Sequence, residues 1–585
     1  MQQGVLVLSR GGVPGSTPDL GAALSHAGVP DATVREDGSL AVAAWGDLGP
    51  TVDDGWMLSR GARRHERDAL PQDVAELLAR RDVAALAEVL PPFAALRTGP
   101  AREEAVAVTD ALGFRHVYHA EGRGWAAIST SARLLAVLGG RDIDRESMSL
   151  QSLVGWQVGQ WTLFDGVSKL APGAVAQLGA GELTIHGGDR PTPEPLSLDD
   201  AVEQAAELLR TNLSAYLGDH PDATLQLTGG QDSRILLSAI PPDLRRGLAA
   251  VTLAVPGSED VSIAAEICAR TGARHHVEAL DSLEGLDPAA AYDLCTESSA
   301  RLEGMADPLA LAALTMAERR LDQGHRIAGL GGEVARGFYY LGRPRDPSVT
   351  RARVARLASW RMFANEAIDP ASLEPSMREG ARERAVERIH GLMAGTGKDW
   401  LDATDDFYLY QRMQRWAGVT DTAVCMDRSV VNPMLDDRFI AIAQGMSPDS
   451  KRNSLFLARL QMALDPELGR MPLNGRPPPE AYAYPRHADR VRGIQTLAQK
   501  AASKARQRFA HSTRPPAGGT VLAAKVLRHW RANPDLLDRA RGQHVLDDSW
   551  LDRMVRGELD PAPSTVAFVL NVACLPSRSQ TSVSA

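Results

Sequence analysis

The sequence predicts an α/β protein in two parts: an α+β domain, then a larger domain built on a parallel sheet. Three observations predict it. Short β-type runs and turns dominate before residue 190, strands alternate with helices after residue 196, and a proline-rich break separates the two regimes. Strand–helix alternation implies a parallel sheet covered by helices, because a parallel connection needs a crossover long enough to hold one.

In the first part, residues 104–108, 124–128 and 174–178 read as strands. The break is Arg190-Pro-Thr-Pro-Glu-Pro195, whose prolines cannot continue a helix and favour an extended linker. It places domains at 1–190 and 196–585. Ser197-Leu-Asp-Asp200 then reads as a helix N-cap with an acid at its third position. Leu198, Val202, Ala205, Leu209, Leu213 and Tyr216 follow at helical spacing. Next come a strand at 223–227, a helix at 233–240, a strand at 248–255, a helix at 259–271, and strands at 274–278 and 326–330. Beyond about residue 350 the pattern is almost all helical, and no internal repeat is present.

Composition narrows the function. The 585 residues make roughly four average domains or two larger ones. With 44% hydrophobic and 23% charged residues, the chain is ordinary globular protein, not disordered or fibrous. A net charge of −9 argues against general nucleic-acid binding. The four cysteines, Cys268, Cys295, Cys425 and Cys574, form neither a disulfide scaffold nor a C-x-x-C zinc motif. Residues 1–10 lack the basic start and long apolar core of a signal peptide. The apolar stretch 564–575 is far short of the roughly 20 residues that span a bilayer. The expectation is a cytoplasmic protein with no membrane and no nucleic-acid partner.

Two loops carry the chemistry. Thr228-Gly229-Gly230-Gln231-Asp232-Ser233 lies between the first predicted strand and its helix. Its glycines admit a close phosphate, the helix start offers N–H groups to an anion, and Asp232 places a carboxylate beside them for Mg²⁺. No Walker-type G-x-x-x-x-G-K motif is present. Gly329-Leu330-Gly331-Gly332-Glu333 ends another predicted strand. Two such loops, each with one acid, suit a Mg²⁺–pyrophosphate unit at the carboxyl edge of a parallel sheet. Taken singly, either loop also reads as a plain glycine turn.

On these loops the sequence resembles the asparagine synthetase B group of PP-loop ATP pyrophosphatases. The first resembles S-G-G-x-D-S, with Thr228 for Ser; the second resembles G-x-G-(G/S)-D-E, with Glu333 for Asp and Val334 for Glu. Thr252-Leu-Ala-Val-Pro-Gly-Ser-Glu-Asp260 resembles the segment whose strand end cradles adenine, implying a base contact near Val255. Trp161-Thr-Leu-Phe-Asp-Gly-Val-Ser-Lys-Leu-Ala-Pro-Gly173, Phe93-Ala94 and residues 113–135 resemble the family's N-terminal glutaminase half, an N-terminal nucleophile (Ntn) hydrolase domain. The resemblance implies ATP contacts from Leu227, Thr228, Gly229, Gly230, Gln231, Asp232, Ser233, Val255, Gly329, Leu330 and Gly331, with Mg²⁺ on Asp232 and Glu333.

The departures point to the reaction. Where the glutaminases need Cys after Met, this chain has Gln2, whose amide is no nucleophile. The resemblance then implies a degenerate glutaminase domain and an amine supplied by the substrate. Leu330 stands where asparagine synthetases carry Glu and β-lactam synthetases Tyr, and Met471-Pro-Leu-Asn-Gly-Arg-Pro-Pro-Pro479 offers Arg476 as a catalytic cation where the family has Lys. That run and the helical, basic C-terminal segment look most like a lasso peptide cyclase. The implied reaction adenylates an Asp or Glu side chain of a core peptide, then closes a macrolactam with the peptide's N-terminal amine, releasing AMP and pyrophosphate. Implied partners are a linear precursor peptide, a leader peptide-binding protein and a leader protease. A β-lactam synthetase-like or other small-molecule amide ligase, and an idle nucleotide-binding scaffold, are the alternatives.

Other features have plainer readings. Glu297 and Glu303 are candidate bases or surface helix carboxylates. Asn432-Pro-Met-Leu-Asp-Asp437 resembles the family's R-x-P-f-L-D corner. Residues 486–531 hold eleven Lys or Arg and one acid, Asp489, which is either a solvated face or a docking surface for an acidic partner. His275 and His276 suit a structural role, and Trp156 and Trp161 read as core.

Overall fold

The computed structural model describes residues 3–12, 18–29, 31–48, 51–52, 55–99, 103–187, 192–255, 257–320, 324–342, 345–363, 366–485 and 518–576. Gln2, part of the 190–195 break and most of the basic 486–531 stretch lie outside these residues.

The chain is mixed α/β with several sheets. Its strands are β1 (Gly4–Arg10), β2 (Thr33–Asp37), β3 (Leu40–Trp45), β4 (Thr51–Val52), β5 (Gly55–Met57), β6 (Arg63–Arg64), β7 (Arg67–Asp68), β8 (Ala94–Thr98), β9 (Glu104–Thr109), β10 (Tyr118–Gly122), β11 (Trp125–Ser129), β12 (Val167–Lys169), β13 (Val175–Gly179), β14 (Glu182–His186), β15 (Thr224–Gln226), β16 (Ala249–Ala254), β17 (Arg274–Ala279), β18 (Arg326–Ile327) and β19 (Val430–Val431).

Two antiparallel sheets, in the orders β12-β10-β11-β1-β3-β2 and β14-β13-β9-β8-β5-β4, stack face to face. The two-residue side-chain period explains the layering. Val5 and Val7 of β1 meet Leu96, Ala105, Ala107, Ala176 and Leu178 of the second sheet. Leu6 and Leu8 face outward, where helices Leu20–His26 and Ala132–Leu138 cover them. Helix Pro71–Arg80 covers the outer face of the second sheet through Val74 and Leu78.

The third sheet is parallel, in the order β17-β16-β15-β18-β19. Helix Leu198–Asp219 opens this half, its start capped by Ser197 Oγ, which accepts from the Asp200 N–H. Helices Asp232–Ala239 and Asp260–Thr271 cross between β15, β16 and β17. The chain builds outward from β15 to β17, then returns to place β18 on the other side of β15. A topological switch point therefore lies between β15 and β18, where open α/β sheets bind ligands.

Two differences from the sequence reading concern this sheet. The strand read at 326–330 ends at Ile327, because the glycines beyond it leave the ladder as a loop. β19 lies inside the stretch read as helical; two residues carry no detectable period, and the strand exists because Val430 and Val431 pair with Arg326 and Ile327.

One large apolar core joins Phe114 and Trp156 of the first half to the parallel sheet and its helices. Trp156 is fully buried. Trp161 is not a core residue: it is 38% exposed, with the Arg388 guanidinium 4.3 Å from the centre of its ring. The apolar stretch 564–575 is mostly helix Pro563–Ala573, buried against Leu522, Val526 and Trp530. Among the described residues, no helix is long and apolar enough to cross a membrane. All four cysteines are buried and unpaired.

Candidate functional site

The first loop runs from the end of β15 into helix Asp232–Ala239 and is held at several points. Thr252 Oγ1 donates to the Leu227 carbonyl at 2.7 Å and lies 2.9 Å from His275 Nε2, which gives His275 a structural part beneath the loop. The Thr228 N–H donates to Ser233 Oγ at 3.1 Å, and the Gly230 N–H to Thr228 Oγ1 at 3.1 Å. Thr228 thus fastens the turn through its hydroxyl. The Gly229 N–H donates to Asp260 Oδ1 at 2.8 Å.

A third segment closes over this loop. The Asn474 N–H donates to the Gly229 carbonyl at 3.0 Å, and Asn474 Nδ2 donates to Ser258 Oγ and Asp260 Oδ1, each at 3.0 Å. Arg234, fully buried in the loop's helix, donates to the carbonyls of Leu468, Met471 and Pro472 at 3.1, 2.7 and 2.7 Å. The run carrying Arg476 is therefore tied to the glycine loop by Asn474 and Arg234. Neither has a role in the sequence reading, although Asn474 lies in the 471–479 run, because an Asn or a buried Arg has no motif of its own.

The second loop leaves β18 and folds into a single helical turn, Gly332–Arg336. A Cβ on Gly329 would lie 2.9 Å from the Ser233 backbone nitrogen, so the two loops touch main chain to main chain. Gly331 takes φ +114°, open to glycine at little cost. Leu330 packs on the large core. Val255 stands just past β16, where its carbonyl accepts from the Ser258 N–H at 3.0 Å.

Asp232 and Glu333 meet at this junction. Arg336 Nη2 donates to Glu333 Oε1 at 2.8 Å, and Arg336 Nη1 lies 3.8 Å from Asp232 Oδ2. Asp232 Oδ1 and Glu333 Oε2 are buried without a hydrogen-bond partner, as are both amide atoms of Gln231. The Asp232 carboxyl is pushed up to about 6, chiefly by burial; Arg336 opposes the rise, the Glu333 charge adds to it, and Arg476 opposes it. Asp232 Oδ1 and Glu333 Oε2 are both hard carboxylate oxygens, one from each loop, of the kind Mg²⁺ takes as ligands. Arg476 lies near enough for its charge to act on Asp232, at a turn closed by its main-chain bonds with Leu473.

A second buried network lies beside the turn. Asp405 Oδ2 accepts from Tyr340 Oη at 2.7 Å and from Lys451 Nζ at 2.6 Å, and the Arg452 guanidinium lies over the Tyr340 ring. Residues 340, 405 and 451 are too far apart in sequence to suggest this grouping. Asn432 is buried near the second loop, and its Nδ2 donates to Asp421 Oδ2 at 2.9 Å.

Glu303 is not a surface helix carboxylate. It is 7% exposed, takes φ +54°, and its Oε2 accepts from the Arg133 N–H in the first half of the chain at 2.9 Å. Glu297, on helix Pro288–Arg301, lies 3.7 Å from Arg319 at the end of the next helix, Pro308–Arg319.

No protein-family model matches this chain. No curated protein matches it either. Among solved structures it is similar to glutamine phosphoribosylpyrophosphate amidotransferase from B. subtilis complexed with ADP and GMP. That likeness has 11% identity and a TM-score of 0.21, covering 47% of this chain and 65% of the other, just under two thirds. It is also similar to a structure described as the allosteric regulatory enzyme of purine biosynthesis, with 11% identity and a TM-score of 0.20, covering 48% of this chain and 74% of that one.

Proposed function

We propose that the chain is an ATP-dependent, AMP-forming carbon–nitrogen ligase of the asparagine synthetase-like, PP-loop kind, and within that group a lasso-type peptide macrolactam synthetase. One observation carries the reading. Two glycine loops meet at the switch point of a parallel sheet, and each keeps one buried, unpartnered carboxylate oxygen, on Asp232 and Glu333.

In this reading residues 196–585 bind ATP and residues 1–190 are a degenerate glutaminase-like domain. Thr228, Gly229, Gly230, Gln231 and Ser233 cradle the phosphates, with Leu227, Val255, Gly329, Leu330 and Gly331 around the nucleotide. Asp232 and Glu333 would hold Mg²⁺, which would supply positive charge for the pyrophosphate. Arg476 adds a fixed positive charge beside Asp232; an arginine keeps its proton, so its part is electrostatic. A peptide carboxylate attacks the α-phosphorus, pyrophosphate leaves, and the peptide's amine displaces AMP from the acyl-adenylate. Asn474 and Arg234 fix the segment over the loop, and positioning of this kind supplies much of the rate when both reactants belong to one molecule. A linear precursor peptide is the substrate, with a leader-binding protein and a leader protease as partners.

The test is a product assay with ATP, Mg²⁺ and linear peptides carrying an internal Asp or Glu. The expected result is AMP, pyrophosphate and a peptide lighter by one water; glutamine alone yields no glutamate. Failure to form AMP with any peptide, together with no effect of Asp232→Ala, sinks the reading.

A further inference from the structure

We infer that Arg336 is the resident counter-ion of the Asp232–Glu333 pair, a positioning residue that makes metal capture conditional on nucleotide. The inference rests on the proposed metal site and adds a part for a residue that site does not include.

The geometry is two-sided. Arg336 Nη2 bonds Glu333 Oε1 at 2.8 Å and Nη1 lies 3.8 Å from Asp232 Oδ2. The other oxygen of each carboxylate, Asp232 Oδ1 and Glu333 Oε2, is buried and without a hydrogen-bond partner. One guanidinium thus faces one oxygen of each carboxylate, hydrogen-bonded to Glu333 and ion-paired with Asp232, while the other oxygen of each has no hydrogen-bond partner. Arg336 and Glu333 belong to the same tight turn, three residues apart, so the cation is delivered by the loop it neutralises. All three side chains are largely shielded, at 19%, 16% and 22% exposure for Arg336, Asp232 and Glu333, where charges interact more strongly than in water.

The consequence is electrostatic. Two carboxylates alone present a charge of −2, which would attract a divalent cation with or without nucleotide. With Arg336 attached the pair presents −1, and an arriving cation meets a positive group already in place. The phosphates of ATP restore the missing negative charge, so metal and nucleotide enter together. Because a guanidinium keeps its proton in ordinary buffers, this control stays in force.

The experiment uses the full chain with Mn²⁺ as a paramagnetic probe, followed by its resonance signal at about pH 8, where ordinary carboxyls are ionised. Wild type should bind Mn²⁺ weakly alone and tightly with ATP. Arg336→Met and Arg336→Gln should each bind Mn²⁺ without ATP about tenfold more tightly, as expected from removing a nearby positive charge. Arg336→Lys should return to the wild-type pattern. If both neutral variants are folded by circular dichroism yet bind Mn²⁺ no more tightly than wild type, the counter-ion role is wrong. If Asp232→Asn in the Arg336→Met background leaves Mn²⁺ binding unchanged, the metal site itself is wrong.

Discussion

A Cβ on Gly332 would stand 2.3 Å from Asp232 Oδ1. The second loop is closed onto the first with no room for a side chain between them. Replacing Gly332 with Ala must therefore move the carboxylate or the loop. A displacement of about 1 Å at a reacting centre costs on the order of 100-fold in rate. In the proposed reaction, Gly332→Ala is expected to lower AMP formation by at least about that factor while the protein stays folded. Unchanged turnover would show that Asp232 Oδ1 takes no part.

The pH dependence of stability follows from the same carboxylate. Burial raises Asp232 to about 6 from an ordinary 3.8. A raised carboxyl contributes no penalty below about pH 4, and destabilises the fold progressively as pH rises through 6. Without metal, Asp232→Asn should match wild type near pH 4 and exceed it by about 1–3 kcal/mol near pH 8. Urea melts of metal-free protein at the two pH values measure this, and equal stability at pH 8 would refute the buried-charge penalty.

Arg234 offers a test of the segment that closes the site. It satisfies three carbonyls from inside the fold. Arg234→Met removes all three bonds and should cost about 2–4 kcal/mol, since buried carbonyls lose their donors. Proteolysis should also reach residues near Asn474 sooner. A variant as stable as wild type would show that water or another donor replaces the guanidinium.

The Lys451–Asp405 pair predicts a double-mutant signature. Lys451→Met leaves a buried carboxylate supported only by Tyr340, with an expected cost of about 3–5 kcal/mol. Lys451→Met with Asp405→Leu should recover a large part of that loss. Strictly additive losses in a urea cycle would argue against a coupled pair.

Much of the fold was legible along the chain. The helix from Leu198 was announced by Ser197 and its apolar spacing, and β15, β16 and β17 fall within a residue or two of their sequence readings. Local patterns sufficed there because capping and side-chain period are properties of neighbouring residues. β19 was illegible because two residues have no period, and Trp161 misled because an aromatic in an apolar run says nothing about which side it faces.

The sequence by itself determined the loops: glycines where main chain must come close, and one acid on each. Only the tertiary structure decided that the acids share Arg336, that Asn474 bonds Asp260 across 214 residues, and that Tyr340 and Lys451 meet at Asp405. The reason is physical. Backbone conformation is set largely by adjacent residues, whereas a buried charge takes whatever partner the packing brings within hydrogen-bond reach, however distant in the chain.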